Sequence, residues 1–413
     1  ANINLWVTSW WGPGFREDVT ISEAIMKHAD LGDHQIALLY ESTSRLKEKE
    51  GWTTQRVAPD MEHICQTFFV NDNYYKVDGK PVMVMYLTRV LHSKGVLGEV
   101  TQIMRDTARE VCGTEIYLIG DQVWGNAPLP GEQYPAFDYL DAVTNYDIYG
   151  NTNHPPYAGQ GTVDRYYRKQ ADWRERAIAN GVNYVPAVSP GYNDRGVRLE
   201  ANHMALSRRL EKDSEPGTLF AAQLQQARYL VDPGAGNLLL VNSFNELHED
   251  TQIEPCIGEA TTEPQNYTNG IKYEGYGELY LDILRAGTTC GTNCQRALFV
   301  HPGRPPKEAY PLGLCVGHCD TDDQCAEGLY CFKRDPNTAV PGCVGGEEDN
   351  SRTDYCTRRE TGMLFVHPGR PRKEAYPLGL CVGHCDNDDE CAEGLHCPTV
   401  SYTPLRATET VLE

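Results

Sequence analysis

A TIM-type (β/α)8 barrel, followed by a disulfide-rich, loop-rich tandem repeat, is the α/β architecture this sequence predicts. Short apolar runs alternate with helical stretches through roughly the first 285 residues. That length suits a single barrel of this type, about 250 residues. The cysteines are also segregated. Of 15 in the chain, only Cys65, Cys112 and Cys256 precede residue 285, and the other twelve follow it.

The apolar runs fall at 3–8, 35–40, 81–87, 115–120, 141–146, 182–188 and 237–244. Each is rich in Val, Ile, Leu or Tyr and too continuous for a sheet with one wet face, so each reads as a parallel strand buried on both sides. Between them lie helix signals. Thr20-Ile21-Ser22-Glu23 has the form of a capping box, a long charged helix begins at Thr162 and stops at Asn180-Gly181, and another runs from Thr218 to Leu230 ahead of Pro233-Gly234. Strand and helix in alternation give βαβ units and a parallel sheet. The runs number seven where a closed barrel needs eight, so either one strand escapes the pattern or the chain begins after the first.

The chain has 413 residues, is 40% apolar and 23% charged, and carries a formal charge of −21. No basic stripe accompanies that charge, which excludes a nucleic-acid partner. No apolar run reaches the ~18–20 residues of a membrane span. Cysteine density in the tail places the protein in an oxidising compartment, secreted, extracellular or at the cell surface. The start at Ala1, with no signal-like segment, is expected of a chain whose leader has been removed. Asn266-Tyr267-Thr268 is a glycosylation sequon that fits the same route.

Within the tail, Leu298-Phe299-Val300-His301-Pro302-Gly303-Arg304-Pro305 recurs 66 residues later from Leu364 to Pro371, and the segment from Pro311 to Cys319 recurs from Pro377 to Cys385. The organisation expected is a barrel over 1–286, a cysteine-rich repeat over 287–346 and an incomplete second one over 347–413. In that register Cys290, Cys315, Cys319, Cys325 and Cys331 correspond to Cys356, Cys381, Cys385, Cys391 and Cys397, while Glu409 stands where Cys343 would recur. The odd cysteine total points to a free thiol or to self-association through the tail. Cys65 and Cys112 fit either buried thiols or a disulfide, and Cys256 with Cys294 would staple tail to barrel. The acidic loops Cys319–Cys325 and Cys385–Cys391 offer clustered carboxylates to calcium, with a solvated loop as the plainer reading.

In a parallel barrel the reactive groups sit at the carboxyl ends of the strands. Here those ends carry Trp10 and Trp11, Tyr40 and Glu41, Tyr86 and Arg89, Asp121 and Trp124, Asn145 and Tyr146, Tyr192, Asp194 and Arg198, and finally Asn245, Glu246 and Glu249. Aromatic faces, amides and carboxylates together suit a sugar. A polysaccharide or a glycoprotein glycan is therefore the expected ligand. No phosphate loop, nucleophile elbow or histidine metal spacing is present, so no cofactor or metal is required for the chemistry. Glu246 and Glu249, three apart behind an apolar run, can share one helical face and divide acid and base work across a glycosidic bond.

From 243 to 254 the residues Ser243, Phe244, Asn245, Glu246, Glu249, Thr251, Gln252, Ile253 and Glu254 resemble the signature of glycoside hydrolase family 99, the endo-α-mannosidases and endo-α-mannanases, roughly S-[FY]-N-E-W-x-E-G-T-Q-I-E. Pro190 to Arg198 is similar to that family's P-G-Y-x-D-x-x-x-R stretch, Ser9-Trp10-Trp11 to its S-W-Y, Tyr40-Glu41 to its I-E-P-Y strand end, and Tyr276 to Leu284 to its last helix. The resemblance implies a retaining, endo-acting enzyme. Glu246 would deprotonate the sugar 2-hydroxyl, which attacks C1 to give a 1,2-anhydro sugar, and Glu249 would protonate the leaving oxygen. Glu41, Tyr192, Arg198 and Asn245 would hold hydroxyls, with Trp10, Trp11, Tyr86 and Tyr146 as aromatic walls. Two close carboxylates push their proton affinities apart, as this division of labour requires.

Three positions depart from the family. Leu247 replaces a Trp, Asp250 replaces a Gly, and Leu87-Thr88 follow Tyr86 where the family has an Asp. A rival reading is a catalytically inactive extracellular structural or carbohydrate-binding glycoprotein that assembles through its tail. The retained glutamate pair and Asn245 favour the enzyme.

Overall fold

The computed structural model describes residues 2–151, 156–198, 203–257 and 273–288, and beyond them 296–297, 312, 315–325, 329–340, 343–344 and 351–358. The chain divides into two compact units, Ala1–Thr292 and Asn293–Glu413.

In the first unit every expected run becomes a strand: β1 (Leu5–Trp10), β2 (Gln35–Tyr40), β3 (Lys80–Met85), β4 (Tyr117–Asp121), β5 (Ala142–Thr144), β6 (Asn183–Val185), β7 (Ala187–Val188) and β8 (Leu240–Val241). β1 to β6 pair parallel in sequence order, and β7 pairs parallel with β8. β6 and β7 are one run interrupted at Pro186, which lacks a ladder donor. Its carbonyl accepts from Leu240 N at 2.9 Å, handing the chain from one neighbour to the next.

Side-chain parity shows how this sheet curls. Val7, Leu39, Val84, Ile119, Ala142, Val185 and Leu240, one register row from each strand or its neighbour, gather into a single apolar cluster. That is the interior of a barrel. The intervening Ile36, Leu38, Met83, Leu118, Val143 and Tyr184 face outward to the helices. The Trp6 and Phe244 rings meet edge to face at 4.7 Å, bringing the β1 side and the segment after β8 together. The fold is thus of the (β/α)8 type, with seven of the eight strand positions supplied by the described residues.

Around the sheet lie α1 (Val57–Thr67), α2 (Thr88–Ser93), α3 (Leu97–Thr107), α4 (Gln160–Ala179), α5 (Thr218–Ala227) and α6 (Leu279–Thr288). Cys65 and Cys112 form a disulfide, with Cα atoms 5.5 Å apart, tying α1 to the turn that follows α3. α4 ends at Asn180-Gly181 as expected, with Gly181 at φ 75°. The first helix starts earlier than the capping-box reading. Its helical backbone begins at Arg16 and Thr20 lies inside it. The entry is set by Asp18, which accepts from Gly14 N and from Trp10 Nε1, both at 2.8 Å.

Among its described residues the second unit holds three disulfides, Cys315–Cys343, Cys319–Cys331 and Cys325–Cys356. Cys356, assigned by the 66-residue register to the second repeat, closes the first instead. Strand Tyr355–Arg358 pairs antiparallel with Leu329–Phe332, setting Cys356 opposite Cys331 and beside Cys325. Asp322 accepts from Cys331 N at 2.9 Å. Among the described residues, the group with metal-ligand spacing is Cys319, Cys325 and Cys356, whose sulfurs are all in disulfides, so the acidic loop gathers no carboxylate cage for calcium. Cys256 is a free thiol. Cys290, Cys294, the sequon at Asn266 and the second repeat from residue 359 lie outside the described residues. No helix among the described residues is long and apolar enough to cross a membrane.

Candidate active site

Extending the inward-facing parity of each strand by one step brings Ser9, Glu41, Tyr86, Asp121 and Tyr146 to the barrel mouth. Trp10 has the opposite parity and is fully buried. Its ring stacks between Tyr40 and His63, with centroids 5.8 and 6.2 Å away, and its Nε1 is bonded to Asp18. Both faces are thus covered, and Trp10 supports the mouth from outside rather than stacking on a sugar. Trp11, one residue on, is 39% exposed.

The loop after β8 carries the glutamate pair, and its sequence explains its shape. Ser243 and Thr251 clamp its ends. Their hydroxyls lie 2.8 Å apart, Ser243 N donates to Thr251 O at 3.0 Å, and Ser243 Oγ accepts from Glu246 N at 3.0 Å. Leu247–Glu249 form a single 3-10 turn capped by Glu246 and Asp250. Glu246, which caps this turn, lies close enough to Glu249 at its end for the Glu249 charge to act on it. Asn193 N donates to Glu249 O at 2.7 Å, fixing the turn against the loop after β7.

That loop supplies the cation. Arg198 Nη2 lies 2.6 Å from Glu249 Oε1, while its Nη1 reaches Asp194 Oδ2 at 2.8 Å and Tyr192 Oη at 3.1 Å. Asp194 Oδ2 also accepts from Tyr192 Oη at 2.9 Å and faces His203 Nδ1 at 2.7 Å. Burial alone would raise the Asp194 carboxyl, but these bonds from His203, Arg198 and Tyr192 hold it below the usual range. Glu246 and Asn245 are exposed at the rim. Partial loss of water and the charge of Glu249 raise the Glu246 carboxyl, against the pull of His248 and Arg198. Glu41 is buried and likewise raised by loss of water and by Glu249, against a hydrogen bond from Ser9. Glu246, Glu249 and Glu41 therefore share one electrostatic neighbourhood. Tyr86 and Tyr146 pack ring to ring at 5.1 Å on its far wall, and burial pushes the Tyr86 hydroxyl up to about 12.

Two departures from the family signature find their reasons here. Asp250 adopts the left-handed conformation, φ 53° and ψ 40°, where a glycine is the easy choice. Its carboxylate accepts from Arg208 Nε at 2.9 Å, a guanidinium that is 3% exposed and lies between the rings of Tyr276 and Tyr280. Arg208 also donates to Gln252 O at 3.0 Å and Oε1 at 2.7 Å. The added charge is thus paired away from the glutamates. At Leu87, left-handed at φ 52°, the backbone N–H donates to Asp121 Oδ2 of the next strand at 3.1 Å. β4 supplies the carboxylate that the segment after Tyr86 lacks.

Sequence reasoning missed Arg208 and Asp147. Arg208 stands in an unpatterned loop and gave no signal. Asp147 follows Tyr146, and burial pushes its carboxyl up to about 6 despite a hydrogen bond from Gly150 N, with Asp121 and Glu249 adding to the rise.

No protein-family model matches the chain. It is similar to a glycoprotein endo-alpha-1,2-mannosidase-like protein of Mus musculus, 32% identical over 106 residues, 26% of this chain and 21% of that protein. It is also similar to the glycoprotein endo-alpha-1,2-mannosidase of Rattus norvegicus, 23% identical over 296 residues, 69% of this chain and 57% of that enzyme. The chain therefore spans less than two thirds of these relatives. Among solved structures, a family GH99 endo-alpha-mannosidase of Bacteroides thetaiotaomicron aligns with a TM-score of 0.45 and 18% identity, over 70% of this chain and 77% of that one. The chain thus combines a (β/α)8-type first unit with sequence similarity to glycoprotein endo-alpha-1,2-mannosidases.

Proposed function

We propose that this chain is a secreted, retaining glycoside hydrolase that cleaves internal α-mannosidic or related α-linkages. Glu246 acts as the base toward the sugar 2-hydroxyl, giving a 1,2-anhydro intermediate, and Glu249, once released from its ion pair with Arg198 and protonated, acts as the acid toward the leaving oxygen. The observation that supports this reading is the clamped 3-10 turn that carries Glu246 and Glu249, with the Glu249 charge acting also on Glu41 and Tyr86. Tyr192, Arg198 and Asn245 orient hydroxyls, and Trp11 is the exposed aromatic of the first loop. The named relatives, mannosidases by description, support the substrate class. Four disulfides among the described residues support an oxidising, secretory compartment.

The test is hydrolysis of α-mannan oligosaccharides by the wild type, Glu246→Gln and Glu249→Gln. Each substitution is expected to lower kcat by at least about a hundredfold, with the α-configured product released first. No wild-type cleavage across a broad α-glycan panel overturns the reading.

A further inference from the structure

The ring of loops around the barrel mouth holds one large aromatic that the proposed cleavage does not use. Trp124 stands three residues past β4 and is 48% exposed, whereas Trp10 and Trp173 are buried in the core. It is held in place rather than loosely displayed. The Arg89 guanidinium, from the first turn of α2, lies 4.7 Å from its ring centroid. The loop after β5 closes on its edge, where a side chain at Gly150 would collide with the indole. Its own loop is pinned at both ends. Gln122 Nε2 donates to Tyr134 Oη at 2.6 Å, and Trp173 Nε1 donates to Gly125 O at 3.4 Å. An indole fixed by its own loop, by α2 and by the loop after β5, and left partly open to water, presents a rigid apolar face, at a cost that burial would remove.

The groups beneath it are polar and under-used. Asp121 carries the inward parity of Glu41 and Tyr86, and its Oδ2 is taken by Arg89 at 2.6 Å and by Leu87 N. Its Oδ1, with Thr88 Oγ1 and Gln122 Oε1, is buried without a hydrogen-bond partner in the protein. Asp121 and Glu249 act on the same neighbours, both of them on Tyr86 and, with Arg89, on Asp147. A flat aromatic face bordered by a carboxylate–guanidinium pair is the arrangement that takes a pyranose ring, the face receiving C–H groups and the rim receiving hydroxyls.

We infer that Trp124, with Arg89 and Asp121, forms a further sugar-binding position beside the cleavage site, which engages a neutral hexose one or more residues along the chain from the scissile bond. The inference rests on the glycosidase reading and adds to it that longer oligosaccharides are the preferred substrates. Its outcome can be read separately.

Binding of α-mannan oligosaccharides of two to five residues is measured by titration calorimetry on Glu246→Gln, alone and combined with Trp124→Ala or Trp124→Phe. Cleavage of the same series is measured on the parent enzyme. Affinity is expected to rise with length in Glu246→Gln. The ratio of long-chain to disaccharide affinity is expected to fall about tenfold with Trp124→Ala and to be largely retained with Trp124→Phe. The indole emission should shift on binding of the longer ligands and not do so without Trp124. Length-independent affinity, or an unchanged ratio in Trp124→Ala, overturns the subsite while cleavage by the parent keeps the enzyme reading intact. Absence of both binding and cleavage for every α-mannoside overturns the two together.

Discussion

Arg198 holds the Glu249 carboxylate in an ion pair of 2.6 Å while its other nitrogen remains on Asp194. The guanidinium is therefore divided between a buried anchor and a half-buried carboxylate, and it also lies within electrostatic reach of Glu246. Loss of water and the Glu249 charge raise the Glu246 carboxyl, and Arg198 is one of the groups that draws it back. As the proposed base, Glu246 would work ionised, so the expected activity would be lost as pH falls through its titration. Removing Arg198 lets that titration rise. Arg198→Ala is expected to shift the acid limb of kcat/KM to higher pH and to lower its plateau about a hundredfold by misplacing Glu249. A pH profile on an α-mannan oligosaccharide measures both, and an unmoved acid limb contradicts the arrangement.

Asp250 and Arg208 should be energetically coupled. The aspartate occupies a left-handed position that glycine fills more cheaply, and its carboxylate serves a guanidinium with almost no access to water. Asp250→Gly relieves the backbone but leaves Arg208 Nε short of its acceptor. Arg208→Met leaves the half-buried Asp250 carboxylate without its guanidinium, and breaking a largely desolvated pair costs about 3–5 kcal/mol. The double variant should recover about 1–3 kcal/mol relative to the sum of the two. Denaturant unfolding of the four proteins gives the cycle, and strict additivity would refute the coupling.

The barrel was legible because its strands are buried on both faces, which forces the unbroken apolar runs at 35–40, 81–87 and 115–120 whatever their neighbours do. The glutamate pair was legible for a local reason also. Ser243, Glu246, Glu249 and Thr251 all act within one turn, so their spacing carries the geometry. What sequence could not show depends on contacts between distant loops. Trp10 was misplaced because strand parity, not proximity to the strand end, decides which residue faces the mouth, and the register that sets parity is tertiary. Arg208 meets Asp250 across 42 positions and the neighbouring residues give it no pattern. The repeat register misassigned Cys356 for the same reason, since a sequence period says which cysteines are equivalent and not which strand lies beside which.

The disulfide between Cys65 and Cys112 closes a 47-residue separation within the barrel unit. Constraining a loop of that length in the unfolded chain is worth about 4 kcal/mol in the chain-entropy account. Both thiols sit against the outer apolar layer, Cys65 among the side chains of α1 and Cys112 at its edge. The paired substitution Cys65→Ala with Cys112→Ala is therefore expected to lower stability by about 2–4 kcal/mol, mostly by loosening the unfolded state. Thermal unfolding with and without reductant checks this. Reductant should lower the wild-type barrel transition and leave that of the double variant in place. A double variant as stable as the wild type would show that the bridge constrains nothing.

Asp147 should make the barrel less stable as pH rises. Its carboxyl is pushed up to about 6, chiefly by burial, with Asp121 and Glu249 adding repulsion and the Gly150 backbone and Arg89 opposing it. In the unfolded chain the same group titrates in the ordinary carboxylate range near 4. Between those values the folded protein holds a proton that the unfolded chain has released, so unfolding is favoured progressively as pH climbs through the window, and the penalty is complete above it. Asp147→Asn keeps an acceptor for Gly150 N and removes the charge. It is expected to leave stability unchanged at pH 4 and to raise it by about 2 kcal/mol at pH 8. Denaturant melts of both proteins across that range supply the comparison. A gain of equal size at both pH values would place the effect in packing, and no gain at pH 8 would mean that Asp147 is solvated well enough to ionise freely.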